Sequence, residues 1–248
     1  MSTIDEVIEM LITPRRAPAP ATSAVTWDKR EMLATPAGKI VYWSAGSGPP
    51  VVLVHGWEGA HADLDAFVAP LLERGKRVVA LDLPAHGESP GTLAAFPDMG
   101  LAVGAVGAHV GPLAGVIAHS AGCPSTALAI DQGLRVERVA LIATPERYGR
   151  FVRYMAGVAG VDPQALIAAL MARGIDVPAL NMPRQVAAYR VPALIVHSAD
   201  DRTTEIEGAR KVAAAWPGSM FLEVDGLGHS RILRDPAVIA RIVSFISG

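Results

Sequence analysis

Six short runs of consecutive apolar, largely β-branched residues constrain this chain more than any other feature in it. They are PVVLVHG (Pro50–Gly56), RVVALDLP (Arg77–Pro84), AGVIAHS (Ala114–Ser120), RVALIATP (Arg138–Pro145), ALIVHSADD (Ala193–Asp201) and SMFLEVDG (Ser219–Gly226). Continuous rather than alternating hydrophobicity is the pattern of parallel strands buried on both faces. Most of the intervals between them have helical spacing. LDAFVAPLLERG places Leu64, Phe67, Val68, Leu71 and Leu72 on one face and stops on Gly75, and GARKVAAAWPG and DPAVIARIVSFIS read the same way. Ahead of the first run, TWDKREMLATPAGKIVYWSAGSGPP predicts two antiparallel strands turning near Pro36-Ala37-Gly38. Strand and helix in alternation imply one doubly wound, mostly parallel α/β sheet with an antiparallel strand pair at its N-terminal end.

Two intervals depart from that rhythm. Residues 145–190 contain no strand-like run but two helix-like segments, TPERYGRFVRYMAGVAG and DPQALIAALMARGID. The second opens with a cap residue and a proline, Asp162-Pro163. An all-helical insertion at this point is expected to cap the ends of the sheet, with ordinary crossover helices as the plainer reading. At the other end, Ile4 to Ile12 predicts a short amphipathic helix followed by a Pro/Ala linker from Pro14 to Pro20. The expected organisation is therefore an N-terminal helix and linker (1–25), an α/β core (26–144 and 191–248) and a helical cap (145–190).

Composition narrows the function. With 51% hydrophobic and 19% charged residues over 248 positions there is ample material for one core. A net charge of −2 without a basic cluster argues against nucleic acid or an anionic membrane as partner. A single cysteine, Cys123, excludes an internal disulfide framework, and the seven histidines lack paired metal-ligand spacing. The start of the chain places acidic residues before a brief apolar stretch, the reverse of a signal peptide. Met99 to Gly122 is long enough to span a membrane, but Gly111-Pro112 divides it into a helix and a strand. A cytoplasmic protein acting on a small molecule, without metal or cofactor, is expected; the oligomeric state is not readable.

Ligands of doubly wound sheets bind outside the carboxyl ends of the strands, and the reactive side chains collect there. Ser120 ends one run, His55-Gly56-Trp57 another, Asp200 and Asp201 a third, and His229 follows the last. A serine hydroxyl needs a neighbouring base to become a nucleophile near neutral pH, and histidine has the proton affinity for it. A carboxylate then fixes the imidazole tautomer, and backbone N–H groups receive the developing oxyanion. Ser120, an aspartate near position 200 and His229 supply these needs in the chain order Ser…Asp…His. The plainer reading of Ser120 is an ordinary strand-to-helix loop, where serine is common as a cap.

From about Trp27 to Ser247 the chain resembles the α/β-hydrolase family. The family's G-x-S-x-G elbow is matched by Ala118-His119-Ser120-Ala121-Gly122, with alanine in place of the first glycine. The resemblance implies that Ser120 is the nucleophile, that His229 in LGHS is the base, and that the Trp57 and Ala121 amides form the oxyanion hole. LDLPAHGES is similar to the family's D-x-P-G-H-G-x-S turn, with Ala85 where glycine is usual, so Asp82, His86 and Ser89 are expected to shape a loop. Two neighbours compete for the acid. Asp201 lies three residues after Ser198, the family's usual spacing, while Asp200 would brace the turn; Glu146 is a third option.

These matches imply a serine hydrolase cleaving a small, apolar carboxylic ester or thioester through an acyl-enzyme. Alternatives are a carbon–carbon bond hydrolase or a cofactor-free perhydrolase using the same triad, or a catalytically silent ligand-binding member. His119 is expected to shape the elbow, His55 to bond loop backbone, and Cys123 to be a small buried side chain; His61, His86, His109 and His197 have no special claim. Arg147, Arg150 and Arg153 at three-residue spacing would meet a substrate anion or, more plainly, form a solvated face. Phe151, Met155, Leu166 and Leu170 would line an acyl pocket or pack the cap.

Overall fold

The computed structural model describes residues 2–16 and 25–248. Among them, eight strands form one sheet: β1 (Lys29–Thr35), β2 (Gly38–Ala45), β3 (Pro50–Val54), β4 (Arg77–Leu81), β5 (Gly115–His119), β6 (Val139–Ile142), β7 (Ala193–Ser198) and β8 (Met220–Val224). Their spatial order is β1-β2-β4-β3-β5-β6-β7-β8. β2 pairs antiparallel with both β1 and β4, and every other pairing is parallel. The helices are α1 (Ile4–Ile12), α2 (Val68–Glu73), α3 (Phe96–Val110), α4 (Gly122–Asp131), α5 (Tyr148–Ala159), α6 (Pro163–Ala172), α7 (Met182–Val186), α8 (Ile206–Ala215), α9 (Gly228–Arg231) and α10 (Pro236–Ser247).

Successive strand residues point to opposite faces, and β3 divides its side chains accordingly. Val52 and Val54 join α3, α4, α7 and α8 in one apolar layer. Val51 and Leu53 join α2 and α10 in the other. This two-sided burial is the physical content of the unbroken apolar runs. The expected helix over LDAFVAPLLERG is split into a 3₁₀ segment, His61–Phe67, and α2. Pro70 explains the restart: inside a continuous helix its ring would clash with the carbonyl four residues back, whereas in a first turn its missing N–H is not needed.

The 145–190 interval holds α5, α6 and α7. Asp162 caps α6 by accepting from the Ala165 amide at 2.8 Å, with Pro163 in the first turn. The helices do not share one core. Met182 and Val186 of α7 pack into the sheet layer. Val152 and Ala156 of α5, with Leu166 and Leu170 of α6, form a separate cluster with Val7, Ile8 and Leu11 of α1. The N-terminal helix thus folds back onto this insertion. Of the expected linker, residues 17–20 lie outside the described residues. The apolar stretch before Ser120 divides as its glycine and proline require: α3 ends on Gly111 at φ 101°, and β5 follows. No helix among the described residues is long and apolar enough to cross a membrane.

Candidate active site

Strand β5 ends at His119 and α4 begins at Gly122, so the chain reverses within two residues. Ser120 adopts φ +50° at that reversal, a left-handed conformation that is uncommon for a side-chain-bearing residue and concentrates at functional sites. Its surroundings leave little alternative. A Cβ at Gly122 would lie 2.6 Å from the carbonyl oxygens of Val54 and His55, and one at Gly56 would lie 3.0 Å from the Ser120 Cβ. The loop after β3 therefore presses directly on the serine turn. Ala118 sits fully buried in β5, where its methyl group is accommodated in the sheet core.

Ser120 Oγ is 3.0 Å from His229 Nε2, and His229 Nδ1 is 2.7 Å from Asp201 Oδ2. With the carboxylate ionised, Nδ1 carries the proton and Nε2 is left as an acceptor for the serine hydroxyl. Asp201 also accepts from the amides of Thr203 and Thr204 and from Thr204 Oγ1. Burial opposes its ionisation, but hydrogen bonds from His197, His229 and the Thr204 amide outweigh burial and hold its carboxyl far below the usual range. Asp200 bonds instead to Ser198 Oγ and, at 2.8 Å, to the Gly228 amide, which braces the turn that carries His229. Glu146 turns away from both, ion-paired with Arg147 and Lys211.

The loop after β3 closes as a turn, Gly59 N donating to Gly56 O at 3.2 Å. Among the described residues, neither the Trp57 nor the Ala121 amide donates to any acceptor. These two N–H groups belong to the residues that follow Gly56 and Ser120, the pair in close approach at the serine turn. His55 fixes one wall of this loop: Nδ1 donates to Gly56 O at 2.7 Å, and Nε2 accepts from the Leu83 amide at 3.0 Å. Burial keeps that ring neutral, its pKa lowered to about 4.

Asp82, His86 and Ser89 are all absorbed in the loop after β4. Asp82 accepts from the His61 amide and ring and from the Glu88 amide, and Ser89 Oγ donates to the Asp82 carbonyl. Gly87 packs so closely that a Cβ would come within 2.0 Å of the Asp82 carboxylate. Ala85, where the family usually has glycine, takes φ +62° despite its methyl group. His86 bonds the Pro84 carbonyl. Cys123 is fully buried, its thiol pushed up to about 12 by desolvation.

Three supporting contacts had no clear sequence signal. His119 Nε2 donates to the His229 carbonyl at 2.9 Å, tying the residue beside Ser120 to the backbone of His229, and burial lowers its pKa to about 3. His197 is fully buried in β7, with Nε2 2.9 Å from the Thr204 carbonyl and 3.4 Å from Asp201 Oδ2. Thr204 Oγ1 lies 3.3 Å from His229 Nδ1. The i, i+4 spacing of His197 and Asp201 was visible, but not that the turn between them would fold the two together. The arginines of α5 face solvent or bond locally: Arg150 pairs with Glu205, and Arg153 reaches the Gly149 carbonyl. Phe151 is 49% exposed, its ring tilted against that of Tyr148 with centroids 6.3 Å apart.

An eight-stranded sheet in this order, with a left-handed serine turn after its fifth strand and histidine beyond its last, defines the α/β-hydrolase fold. The chain belongs to the alpha/beta hydrolase family, whose model matches residues 51–242. It is 47% identical over 47 residues to a pimeloyl-[acyl-carrier protein] methyl ester esterase of Methylococcus capsulatus. That stretch is 19% of this chain and 18% of the relative, so the match spans less than a fifth of the curated protein. Among solved structures it is similar to an esterase of Pyrococcus furiosus (TM-score 0.73, 17% identity, 94% of this chain and 95% of the other). A bromoperoxidase of Bacillus anthracis is comparably similar (TM-score 0.70, 18% identity, 89% of this chain and 100% of the other). At such identities these two likenesses concern the fold.

Proposed function

We propose that this protein is a serine hydrolase that cleaves small, apolar carboxylic esters or thioesters through an acyl-enzyme on Ser120. The observation that carries the reading is the continuous relay Asp201 Oδ2 to His229 Nδ1 at 2.7 Å and His229 Nε2 to Ser120 Oγ at 3.0 Å. Both contacts lie within the reach required for nucleophile and base.

In the proposed reaction Ser120 Oγ attacks the ester carbonyl carbon while its proton passes to His229 Nε2. Asp201 stays ionised and stabilises the imidazolium. The tetrahedral oxyanion is received by the free amides of Trp57 and Ala121, each such donor being worth about 10²–10³-fold in rate. His229 then returns the proton to the departing alkoxide or thiolate as the carbonyl re-forms. A water, deprotonated by the same nitrogen, attacks the acyl-enzyme, and collapse releases the acid and restores the Ser120 hydroxyl. The helices α5 and α6, with α1 on their backs, are proposed to cap the site. The curated relative matched over 47 residues is named a methyl ester esterase, which supports the ester class.

The test is covalent labelling with a fluorophosphonate, followed by peptide mass spectrometry. We expect one adduct on Ser120, absent from Ser120→Ala and His229→Ala. A folded protein that does not label overturns the reading and favours the ligand-binding alternative. A labelled protein that hydrolyses diketones or forms peracids faster than it cleaves esters would keep the triad and move the substrate class.

A further inference from the structure

The family model matches residues 51–242, a range that does not include α1. α1 is well anchored. Thr3 and Glu6 form a reciprocal capping box, Val7, Ile8 and Leu11 pack against α5 and α6, and Asp5 pairs with Arg173 at 2.7 Å. Past its end the chain crosses the rim of the sheet. Ile12 O accepts from the Ala94 amide at 2.7 Å, and Pro14 is buried. Arg16 donates to the carbonyls of Gly87 and Gly91, both at 2.7 Å. Arg15 gives all of its described hydrogen bonds to one carboxylate, that of Glu58: backbone N at 3.1 Å, and Nε and Nη2 each at 3.0 Å.

Glu58 is not an ordinary surface acid. It occupies the third position of the Gly56–Gly59 turn with φ +58°, where glycine or asparagine is favoured. A glutamate there is under strain, and its relaxation would rotate the Trp57–Glu58 peptide and open the Gly59 N to Gly56 O bond that holds the Gly56–Trp57 peptide, and so the Trp57 N–H, in place. The second position of that turn is Trp57, whose amide is the proposed oxyanion donor. A planar, two-pronged guanidinium is suited to fixing a carboxylate in one orientation. It also holds the Glu58 carboxyl below its usual range.

We infer that Arg15 is a positioning residue for the oxyanion-binding turn: by gripping Glu58 it holds the Gly56–Gly59 turn in the shape that points the Trp57 amide at the reacting oxygen. The inference rests on the reading of Ser120 and Trp57 above. Because the same segment continues into α1, it links α5 and α6 mechanically to the oxyanion turn.

The Arg15 side chain is 88% exposed, and an ion pair so placed adds little to global stability. A positioning role and a merely structural one therefore separate cleanly. In Arg15→Ala we expect fluorophosphonate labelling and kcat to fall about 5- to 10-fold, less than the loss of a whole donor. KM should stay within about twofold and Tm should be unchanged, while hydrogen exchange within residues 56–60 speeds up. Arg15→Lys, which keeps the charge but not the fork, should recover part of the rate. Asp5→Ala, which severs the other exposed ion pair of this segment, should label like the wild type. A wild type that labels while Arg15→Ala labels as fast, or labels slowly with unchanged exchange in residues 56–60, overturns this inference alone. A wild type that does not label overturns the hydrolase reading and this inference with it.

Discussion

The C-terminal rim of the sheet and the α1/α5/α6 cluster are built by opposite rules. At the rim, backbone is forced into costly shapes: Ser120, Glu58, Ala85 and Ala143 all take positive φ without being glycine. Polar side chains are buried there and paired, as with His55, Asp82, His119 and Asp201. In the helical cluster the buried positions are all Val, Leu, Ile and Ala, drawn from α1, α5, α6 and the loop after α6, and charged groups such as Asp5 and Arg173 face water. Strain and buried polarity persist only where surrounding structure over-determines them. The sheet supplies that rigidity, and a small helical cluster does not. The chemistry is accordingly proposed to reside at the rim, with the helices shaping access to it.

The largest expected effect tests whether the rim acts as one catalytic unit. Ser120→Ala and His229→Ala should each lower kcat on an activated ester about 10⁵-fold, and the double variant hardly further. Additive losses would break the unit apart. Next come two adjacent carboxylates with different partners. Asp201→Asn should cost about 10³–10⁴-fold in kcat, because the His229 tautomer is no longer held. Asp200→Asn, which loosens only the Gly228 turn, should cost less than about tenfold. Equal losses at the two positions would undo the assignment of the acid.

A third test makes the same substitution in both regions. Gly122→Ala would drive a methyl group to 2.6 Å from two carbonyl oxygens, and should destabilise by about 2 kcal/mol or more while abolishing labelling. Gly157→Ala, in α5 with nothing near its Cβ position, should stabilise by about 0.5–1 kcal/mol through helix propensity. Urea melts of the two variants read the sign directly.

The smallest effect is a pH dependence that should belong to the rim. His55 and His119 are neutral in the fold, with pKa values lowered from 6.5 to about 4 and about 3. The unfolded chain takes up protons on these rings near pH 6.5 while the folded protein does not. Their contribution is therefore fully present above pH 6.5 and lost progressively as the pH falls toward about 4 and then about 3. Tm should decline through that window, and His119→Gln should flatten part of the decline. An unchanged slope would show that the His119 site is not the source. In the helical cluster, Arg150→Ala should leave Tm within error, since both partners of that ion pair are exposed.

How far the sequence reached follows from which forces are local. The order of strands and helices, the serine turn and the candidate triad were legible because each is encoded over a few residues: continuous β-branched runs, a small-residue elbow, a histidine after the last strand. The two-sided burial of β3 and the cap of α6 follow from such patterns directly. Pro70 was equally visible, yet its consequence, the split before α2, depended on where the chain had room to restart. The choice between Asp200 and Asp201 needed the fold, because the turn decides which carboxylate faces the imidazole. So did the destination of α1, whose apolar face demanded a partner without saying which.

Sequence by itself determined the class of fold and the kinds of side chain at the ends of its strands, since hydrophobic periodicity and turn chemistry act at short range. Tertiary structure alone decided what meets across the chain. His119 reaches the carbonyl of a residue 110 positions away, His197 lies against Asp201 in the folded turn, and Arg15 grips a carboxylate 43 positions downstream. Such contacts depend on how packed layers bring distant loops to one rim, and no local pattern carries that geometry.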